Sequence, residues 1–290
     1  MPKASIIITT YNRPQILYSR SLPSARKQDF KDYEIIIVDH GSTELYPFDL
    51  GKKWIRLDKN SGIVSTARNA GVREAKGEYI VFLDDDNELA PNFLSETIPL
   101  LDSSKDMSAV CSGRIVKHDG YEEYARPYRS DHLGHEKFAS VDWGWLIRRS
   151  VFDTIQYDEK MFFSEDGDFG LQFTEKFAFM SLDKPLQIAY AKDEGVSHSK
   201  PNEKMIKALD YYLEKNLKFY KEQNNELRHL YRLMGRRCYM GGHRVKGIKF
   251  FWKSFLAMKN WRTLKHFLFI LLGWSAYNAF MIREEKKYAK

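Results

Sequence analysis

Cysteine is scarce in this chain of 290 residues. Its two cysteines, Cys111 and Cys238, lie far apart and make neither a metal-ligand nor a redox spacing. Two reduced structural thiols in a cytosolic protein are therefore expected. The G-x-x-x-x-G-K-S/T pattern of a P-loop is missing, and so is G-x-G-x-x-G, which argues against a dinucleotide cofactor. No serine or cysteine elbow presents a nucleophile. Spans of about 20 apolar residues, the length a membrane-crossing helix needs, are also lacking. The late run 266–282 has 17 residues without Lys, Arg, Asp or Glu, and Gly273, Ser275 and Asn278 dilute it. There is no internal repeat and no low-complexity linker. The first residues lead directly into a strand-like run, so no signal peptide is expected.

What is present is unevenly distributed. Net charge is +7. Residues 201–290 hold 20 Lys and Arg against 7 Asp and Glu, which leaves 26 against 32 for residues 1–200. The acidic front part does not suit nucleic acid. The basic rear part could meet an anionic surface. A boundary is expected near Ser199-Lys-Pro-Asn202, giving a domain over 1–200 and a helical extension over 201–290.

The front part alternates apolar runs with helical segments. Ala4–Thr9, Glu34–Asp39 and Tyr79–Asp84 are β-branched or aromatic runs that end in polar clusters. Continuous apolarity suits strands covered on both faces, and strand–loop–helix–strand spacing predicts a doubly wound, mostly parallel α/β sheet. A helix of about 15 residues is expected after Pro14, interrupted at Pro23, with others over Val64–Glu74 and Pro91–Leu101. Residues 120–137 read as an irregular loop. A helix is expected to start near Asp168, followed by two short strands, Ala178–Leu182 and Leu186–Ala191.

Ligands of open α/β sheets sit beyond the carboxyl ends of the strands. Asp84, Asp85 and Asp86 emerge there, and three acids so close together repel unless a cation or a set of donors compensates them. A divalent metal ready to carry phosphate satisfies that need, and so does a solvated acidic turn before a helix. Asp39 ends another strand and could accept from a base N–H or cap a turn. Glu165, Asp166 and Asp168 precede a helix, where one could act as a general base and Asp168 reads as a cap. Arg13, Lys59 and Arg68 fall on the loops around the crevice and could meet phosphate.

In order along the chain, Ser5-Ile-Ile-Ile-Thr-Thr-Tyr-Asn-Arg13, Tyr33-Glu-Ile-Ile-Ile-Val-Asp39-His-Gly-Ser-Thr43, Asn60-Ser-Gly62 with Ala67-Arg-Asn-Ala-Gly71, Gly77-Glu-Tyr-Ile-Val-Phe-Leu-Asp84-Asp-Asp86 and Phe163-Ser-Glu-Asp166-Gly-Asp168 resemble the signature of family 2 glycosyltransferases. The resemblance covers about residues 4–200. It implies a GT-A fold, with a donor half over about 1–90 and an acceptor half over about 91–200. It implies an inverting, metal-dependent transfer from a nucleoside-diphosphate sugar, with Mn2+ or Mg2+ as cofactor. On this likeness Thr9, Tyr11 and Asp39 match positions that hold the base, usually uracil, while Asn60 and Arg68 match positions near base, ribose or diphosphate. Asp84 would touch the ribose side, Asp85 lies between, and Asp86 would ligate the metal together with His198. Asp166 matches the catalytic base, Glu165 stands beside it near the acceptor, and Trp143-Gly144 falls on the acceptor side. One position departs from the pattern. The family usually has two acids where this chain has Asp39-His40.

Residues 201–290 lie outside the signature. A basic amphipathic helix over 247–259 and the run 266–282 fit attachment to an anionic membrane face through 243–290. A helical subdomain, or a dimer interface rich in Trp and Phe, would give the same pattern. The expected setting is the cytoplasm, peripheral on the inner face of the membrane, with a glycan or lipid-linked acceptor, no nucleic acid partner, and a homo-oligomer left open. Two other functions compete. A nucleotidyltransferase also uses acids and a metal at strand ends, but relies on a basic glycine-rich loop that Thr9-Thr-Tyr-Asn-Arg13 lacks. A non-catalytic sugar-binding relative would not need Asp86, Asp166 and His198 together.

Overall fold

The computed structural model describes residues 1–43, 46, 53–128, 141, 144–191, 203–220 and 224–288. The chain divides into two compact units, Met1–Ser197 and His198–Lys290.

In the first unit, β1 (Ala4–Thr10), β2 (Tyr33–Asp39), β3 (Lys53–Arg56) and β4 (Tyr79–Asp84) pair in parallel in the order β3-β2-β1-β4. The register sets Thr9 beside Asp84 and Thr10 beside Asp39, so the polar ends of three strands fall level. Side chains alternate across a strand. Ile6, Ile8, Ile35, Ile37, Val81 and Leu83 enter one core, while Ile7, Ile36, Val38, Ile80 and Phe82 enter the other. Each such side chain contributes about 2 kcal/mol on burial.

Beyond β4 the sheet turns mixed. β5 (Glu88–Leu89), β6 (Met107–Lys117), β7 (Glu122–Ala125), β8 (Trp145–Arg148) and β9 (Ala178–Tyr190) continue it in the order β4-β8-β6-β9-β5, with β7 on β6. Among the described residues only β6 and β9 are parallel in this half. β7 lies inside the segment expected to be irregular. It forms because its residues pair with the free end of β6. The two short strands expected after residue 178 are one long strand, β9. Its register slips opposite Ser112–Arg114, and this accommodates Pro185.

Helices α1 (Pro14–Ser19) and α2 (Ser21–Arg26) replace the single helix expected there. The break is at Arg20, with φ −125° and ψ −83°, not at Pro23, which sits in the first turn of α2. Arg20 leaves helical geometry with its guanidinium 4.0 Å over the Tyr190 ring and Nη1 donating to Asp86 O at 3.4 Å. Helix α3 (Val64–Glu74) lies close on β1, because a Cβ on Gly71 would fall on Ile7 Cγ2. That approach carries Arg68 to the strand ends. Helix α4 (Phe93–Asp102) follows the expected segment.

Helix α5 (Glu165–Lys176) begins three residues before Asp168. Ser164, at φ 63° and ψ 31°, makes the turn into it. A non-glycine residue in the left-handed region is strained, and such strain gathers at sites where side chains must be aimed.

The second unit is helical: α6 (Glu203–Tyr220), α7 (Asn224–Met240), α8 (Arg244–Ala257), α9 (Trp261–Leu271) and α10 (Trp274–Tyr288). Phe251, Ile270 and Tyr277 form its core around an aromatic set. The uncharged run 266–282 is broken at Gly273, φ 106°, into the end of α9 and the start of α10. Among the described residues no helix is long and apolar enough to cross a membrane.

Candidate active site

A cavity of about 360 Å³ opens at the carboxyl ends of β1, β2 and β4. It is lined by Thr9, Thr10, Tyr11 and Arg13 at and after the end of β1, His40 after β2, and Asn60, Gly62 and Val64 leading into α3. Arg68, Asp84–Asp86, Glu165 and Asp166 complete it.

Two arginines organise its acids. Arg13 Nη1 lies 2.8 Å from Asp86 Oδ2, and Nη2 lies 2.7 Å from Asp85 Oδ1. Arg68 is buried, and its guanidinium bonds Asp166 and lies 3.5 Å from both Asp84 and Glu165. Burial disfavours the Arg68 charge, yet Asp166, Asp84 and Glu165 hold its pKa above the ordinary value. The face of Tyr157 supports it at 5.1 Å. Glu165 and Asp166 stand in the first turn of α5, where the helix dipole favours carboxylates.

The three consecutive aspartates have different environments. Asp84 is 29% exposed and Asp86 is 17% exposed at the side chain, whereas Asp85 is 1% exposed. Asp85 turns inward to accept from the Thr10 hydroxyl at 2.7 Å and to hold Arg13. Burial pushes its carboxyl up to about 7, although Arg13 and Thr10 pull it down. Burial, and then the neighbouring Asp84, raise Asp86 as well.

Thr9, Tyr11, Arg13, Asn60, Arg68, Asp84, Asp85, Asp86, Glu165 and Asp166 all line one cavity. Asp39 and Gly144 do not line it. Asp39 is fully buried below the rim, where Oδ1 accepts from Ser42 N at 2.9 Å and Arg56 Nε stands 3.7 Å from Oδ2. Among the described residues Oδ2 receives no hydrogen bond. Gly144, at φ 81°, has the Gln187 side chain where its Cβ would be. Its carbonyl accepts from Gln187 Nε2 at 2.7 Å, beside a second cavity of about 190 Å³. Trp143 and His198 lie outside the described residues.

Several contributors escaped the sequence reading. Tyr46 OH stands 3.0 Å from Thr10 Oγ1 and accepts from Arg13 N at 3.2 Å, fixing the loop that carries Arg13. Nothing in its local sequence marks it. Asn12, at φ 51°, uses Oδ1 to accept from Thr43 N at 2.8 Å and so ties the β1 loop to the β2 loop. Its place after a strand in Thr-Tyr-Asn-Arg was a usable signal, because asparagine tolerates that conformation. His40 occupies the position where the resemblance predicts a second acid. Its Nε2 accepts from Ser61 N at 3.3 Å, and burial lowers its pKa, so it lines the rim as a neutral ring.

Hard oxygen donors suit Mg2+ or Mn2+, and Asp84 and Asp86 supply them toward the cavity. Among the described residues no group of three or more His, Cys, Asp or Glu could hold a metal ion, so the donors match in kind and fall short in number.

The fold class and the comparisons agree. Solved structures share this architecture: S. aureus TarS in complex with UDP-GlcNAc has a TM-score of 0.61 at 18% identity, covering 88% of this chain and 81% of that one. A mannosyltransferase from Pyrobaculum calidifontis in complex with GDP-Man and Mn2+ has a TM-score of 0.59 at 14% identity, covering 91% and 78%. The fold is GT-A. The model of Glycosyl transferase family 2 matches residues 5–159, more than half of the chain, and the protein belongs to that family. Its relatives include an uncharacterised glycosyltransferase of Methanocaldococcus jannaschii, 25% identical over 59% of this chain and 64% of that protein. Another is GalNAc(5)-diNAcBac-PP-undecaprenol beta-1,3-glucosyltransferase of Campylobacter jejuni, 28% identical over 57% of this chain and 58% of that protein. The chain thus spans about three-fifths of the length of the curated relatives it matches.

Proposed function

We propose that the protein is a glycosyltransferase that moves a sugar from a nucleoside-diphosphate donor, a UDP-sugar in our reading, to a glycan or lipid-linked acceptor in surface-glycan synthesis. The observation that carries this is the convergence of Arg13, Arg68, Asp84, Asp86 and Asp166 on one cavity at the strand ends. Relatives and structural neighbours that act on or bind such substrates support it.

In this reading the base enters beside Tyr11 and the rim formed by Asn60 and His40. Asp39, buried just below that rim with Arg56 beside Oδ2, is the residue that the family resemblance assigns to the base, and an imide N–H would give Oδ2 the hydrogen bond it lacks among the described residues. Arg13 and Arg68 face the diphosphate. Asp86 and Asp84 would hold Mn2+ or Mg2+, with His198 as a further ligand, and the metal when bound would neutralise the leaving diphosphate. Asp166 accepts the proton from the acceptor hydroxyl as that oxygen attacks the anomeric carbon from the face opposite the diphosphate. The C–O bond to the acceptor forms as the bond to the diphosphate breaks, which inverts the anomeric centre. Arg68 aims Asp166, and Glu165, Trp143 and Gly144 are the residues that the family resemblance assigns to the acceptor side. The stretch 243–290, in the part of the chain rich in Lys and Arg, is what we assign to an anionic membrane surface, which would put the enzyme on the cytoplasmic face beside a lipid-linked acceptor.

Incubation with single UDP- and GDP-sugars, with Mn2+ or with EDTA, tests the reading. Release of nucleoside diphosphate that depends on both donor and metal is expected. Release of inorganic diphosphate instead would indicate nucleotidyl transfer and overturn it.

A further inference from the structure

Tyr157 lies behind the cavity of the first unit and lines none of it. It is 2% exposed and wedged between elements that carry site residues. Its ring stacks on Phe169 of α5 with centroids 4.3 Å apart, and meets Phe82 of β4 edge to face at 5.4 Å. Phe169 stands three residues past Asp166, hence one turn further along α5.

One side chain holds the backbone of Tyr157 in place. Asn69, buried on α3 beside Arg68, donates from Nδ2 to Tyr157 O at 2.9 Å and accepts from Tyr157 N on Oδ1 at 3.2 Å. Both ends of the amide are used on a single residue, which fixes its orientation. Nδ2 also reaches Glu159 Oε1 at 3.0 Å.

From that seat Tyr157 reaches Asp166 by two routes. Its hydroxyl donates to Val141 O at 3.0 Å, and Val141 N donates to the main-chain oxygen of Asp166 at 3.2 Å. Its ring face lies 5.1 Å from the Arg68 guanidinium, which bonds the Asp166 carboxylate. Among the described residues the buried Nε of Arg68 receives no acceptor, so hydrogen bonds alone do not hold the guanidinium. The rings of Tyr157 and Phe82, the latter at 5.9 Å, supply part of what does.

A core position of this size needs only phenylalanine. A tyrosine hydroxyl is costly to bury unless it is bonded. Here the bond goes to the residue that holds the main chain of Asp166, while the ring supports the cation that holds its side chain. We propose that Tyr157 is a positioning residue for the transfer, fixing Asp166 from both its main chain and its carboxylate, with Asn69 as the residue that seats it. This rests on the reading of Asp166 as the general base given above.

The test is a double-mutant cycle on turnover of a UDP-sugar that releases UDP in the incubation above, with UDP binding followed by calorimetry. Y157F is expected to lower turnover about fivefold and to leave UDP affinity within about twofold, since a small displacement of a catalytic group is felt in rate before binding. In the D166N background the same change should lower the residual rate by less than about twofold, because a residue that acts through Asp166 has nothing left to aim. Pentafluorophenylalanine in place of Tyr157 keeps the ring and reverses its quadrupole, and should turn over about threefold more slowly than Y157F. Equal turnover of those two enzymes overturns the part assigned to the ring. If Y157F does not stay folded at the assay temperature, N69D, which keeps the acceptor for Tyr157 N and loses the donor to Tyr157 O, takes its place in the cycle with the same expectation. An equal loss in both backgrounds marks a general structural effect and overturns the positioning role. Wild-type turnover in Y157F beside a slow D166N overturns it too, and leaves the base in place. Wild-type turnover in D166N overturns the reading of Asp166 itself, and the positioning role with it.

Discussion

The two units solve opposite electrostatic problems. Around the cavity of the first, five carboxylates crowd together, and two arginines of the same chain are threaded among them: Arg13 between Asp85 and Asp86, and Arg68 between Asp84, Glu165 and Asp166. In the second, arginines crowd together and the groups set between them are neutral histidines. The first cluster carries internal compensation: each of its five carboxylates lies within ion-pair reach of one of the two arginines. In the second, burial and the surrounding arginines pull His229 down to about 4 and His266 down to about 3, so the rings separate the guanidinium groups without adding charge. The difference lies in what is set between like charges: opposite charges in the first unit, neutral rings in the second.

The largest expected effect strikes the internal compensation of the first unit. R68A removes a buried cation from three carboxylates, and the wild-type stability should fall by about 3 kcal/mol. Urea denaturation measures this. An unchanged midpoint would mean that the carboxylates do not depend on Arg68. A smaller effect belongs to the second unit. His266 is buried and its pKa is lowered to about 3, whereas an unfolded histidine titrates near its ordinary value of about 6.5. Below that value the unfolded chain binds the proton and the folded chain does not, so stability falls as pH falls from 6.5 toward 3. At pH 5 the loss from His266 is about 2 kcal/mol. Arg228, Arg232, Arg236, Arg262 and the Tyr277 hydroxyl are the groups facing it. The variant H266Q should lose this part of the pH slope, and an unaltered slope would contradict the neutral assignment. The smallest effect is local. Asn260 caps α9 by accepting from Thr263 N at 2.9 Å, with Thr263 Oγ1 accepting from Asn260 N at 3.4 Å. N260A should cost about 1 kcal/mol and leave the cavity of the first unit untouched.

Much of the first unit could be read directly from residues, because its signals are local. Unbroken runs such as Ser5-Ile-Ile-Ile predicted doubly covered strands, and the acids that end them predicted where a cavity opens. Arg68 was legible because it falls near the start of a helix beside the crevice, inside the stretch Ala67-Arg-Asn-Ala-Gly71 that carries the family resemblance. What was missed depends on distant parts of the chain. Three adjacent aspartates look alike in sequence, and only Thr10 and Arg13 distinguish Asp85 as the one turned inward. Tyr46 acts through contacts more than thirty residues away. The break at Arg20 follows from its contacts with Tyr190 and the Asp86 carbonyl, which outweigh a helical pattern that continues past it. The start of α5 was misplaced because Ser164 adopts a left-handed turn that serine does not advertise. In the second unit, periodicity located the helices, yet the meeting of α7 and α9 at Arg232 and His266 is tertiary and left no pattern to read.

The proposed catalytic role of Asp166 is the claim on which the account of the first unit turns, and it is tested most directly by measuring sugar transfer and donor binding together for wild type and D166N. The account predicts that transfer falls by about a thousandfold, within the range of a lost general base, while donor affinity stays close to that of the wild type. Transfer at a near-normal rate in D166N would contradict it.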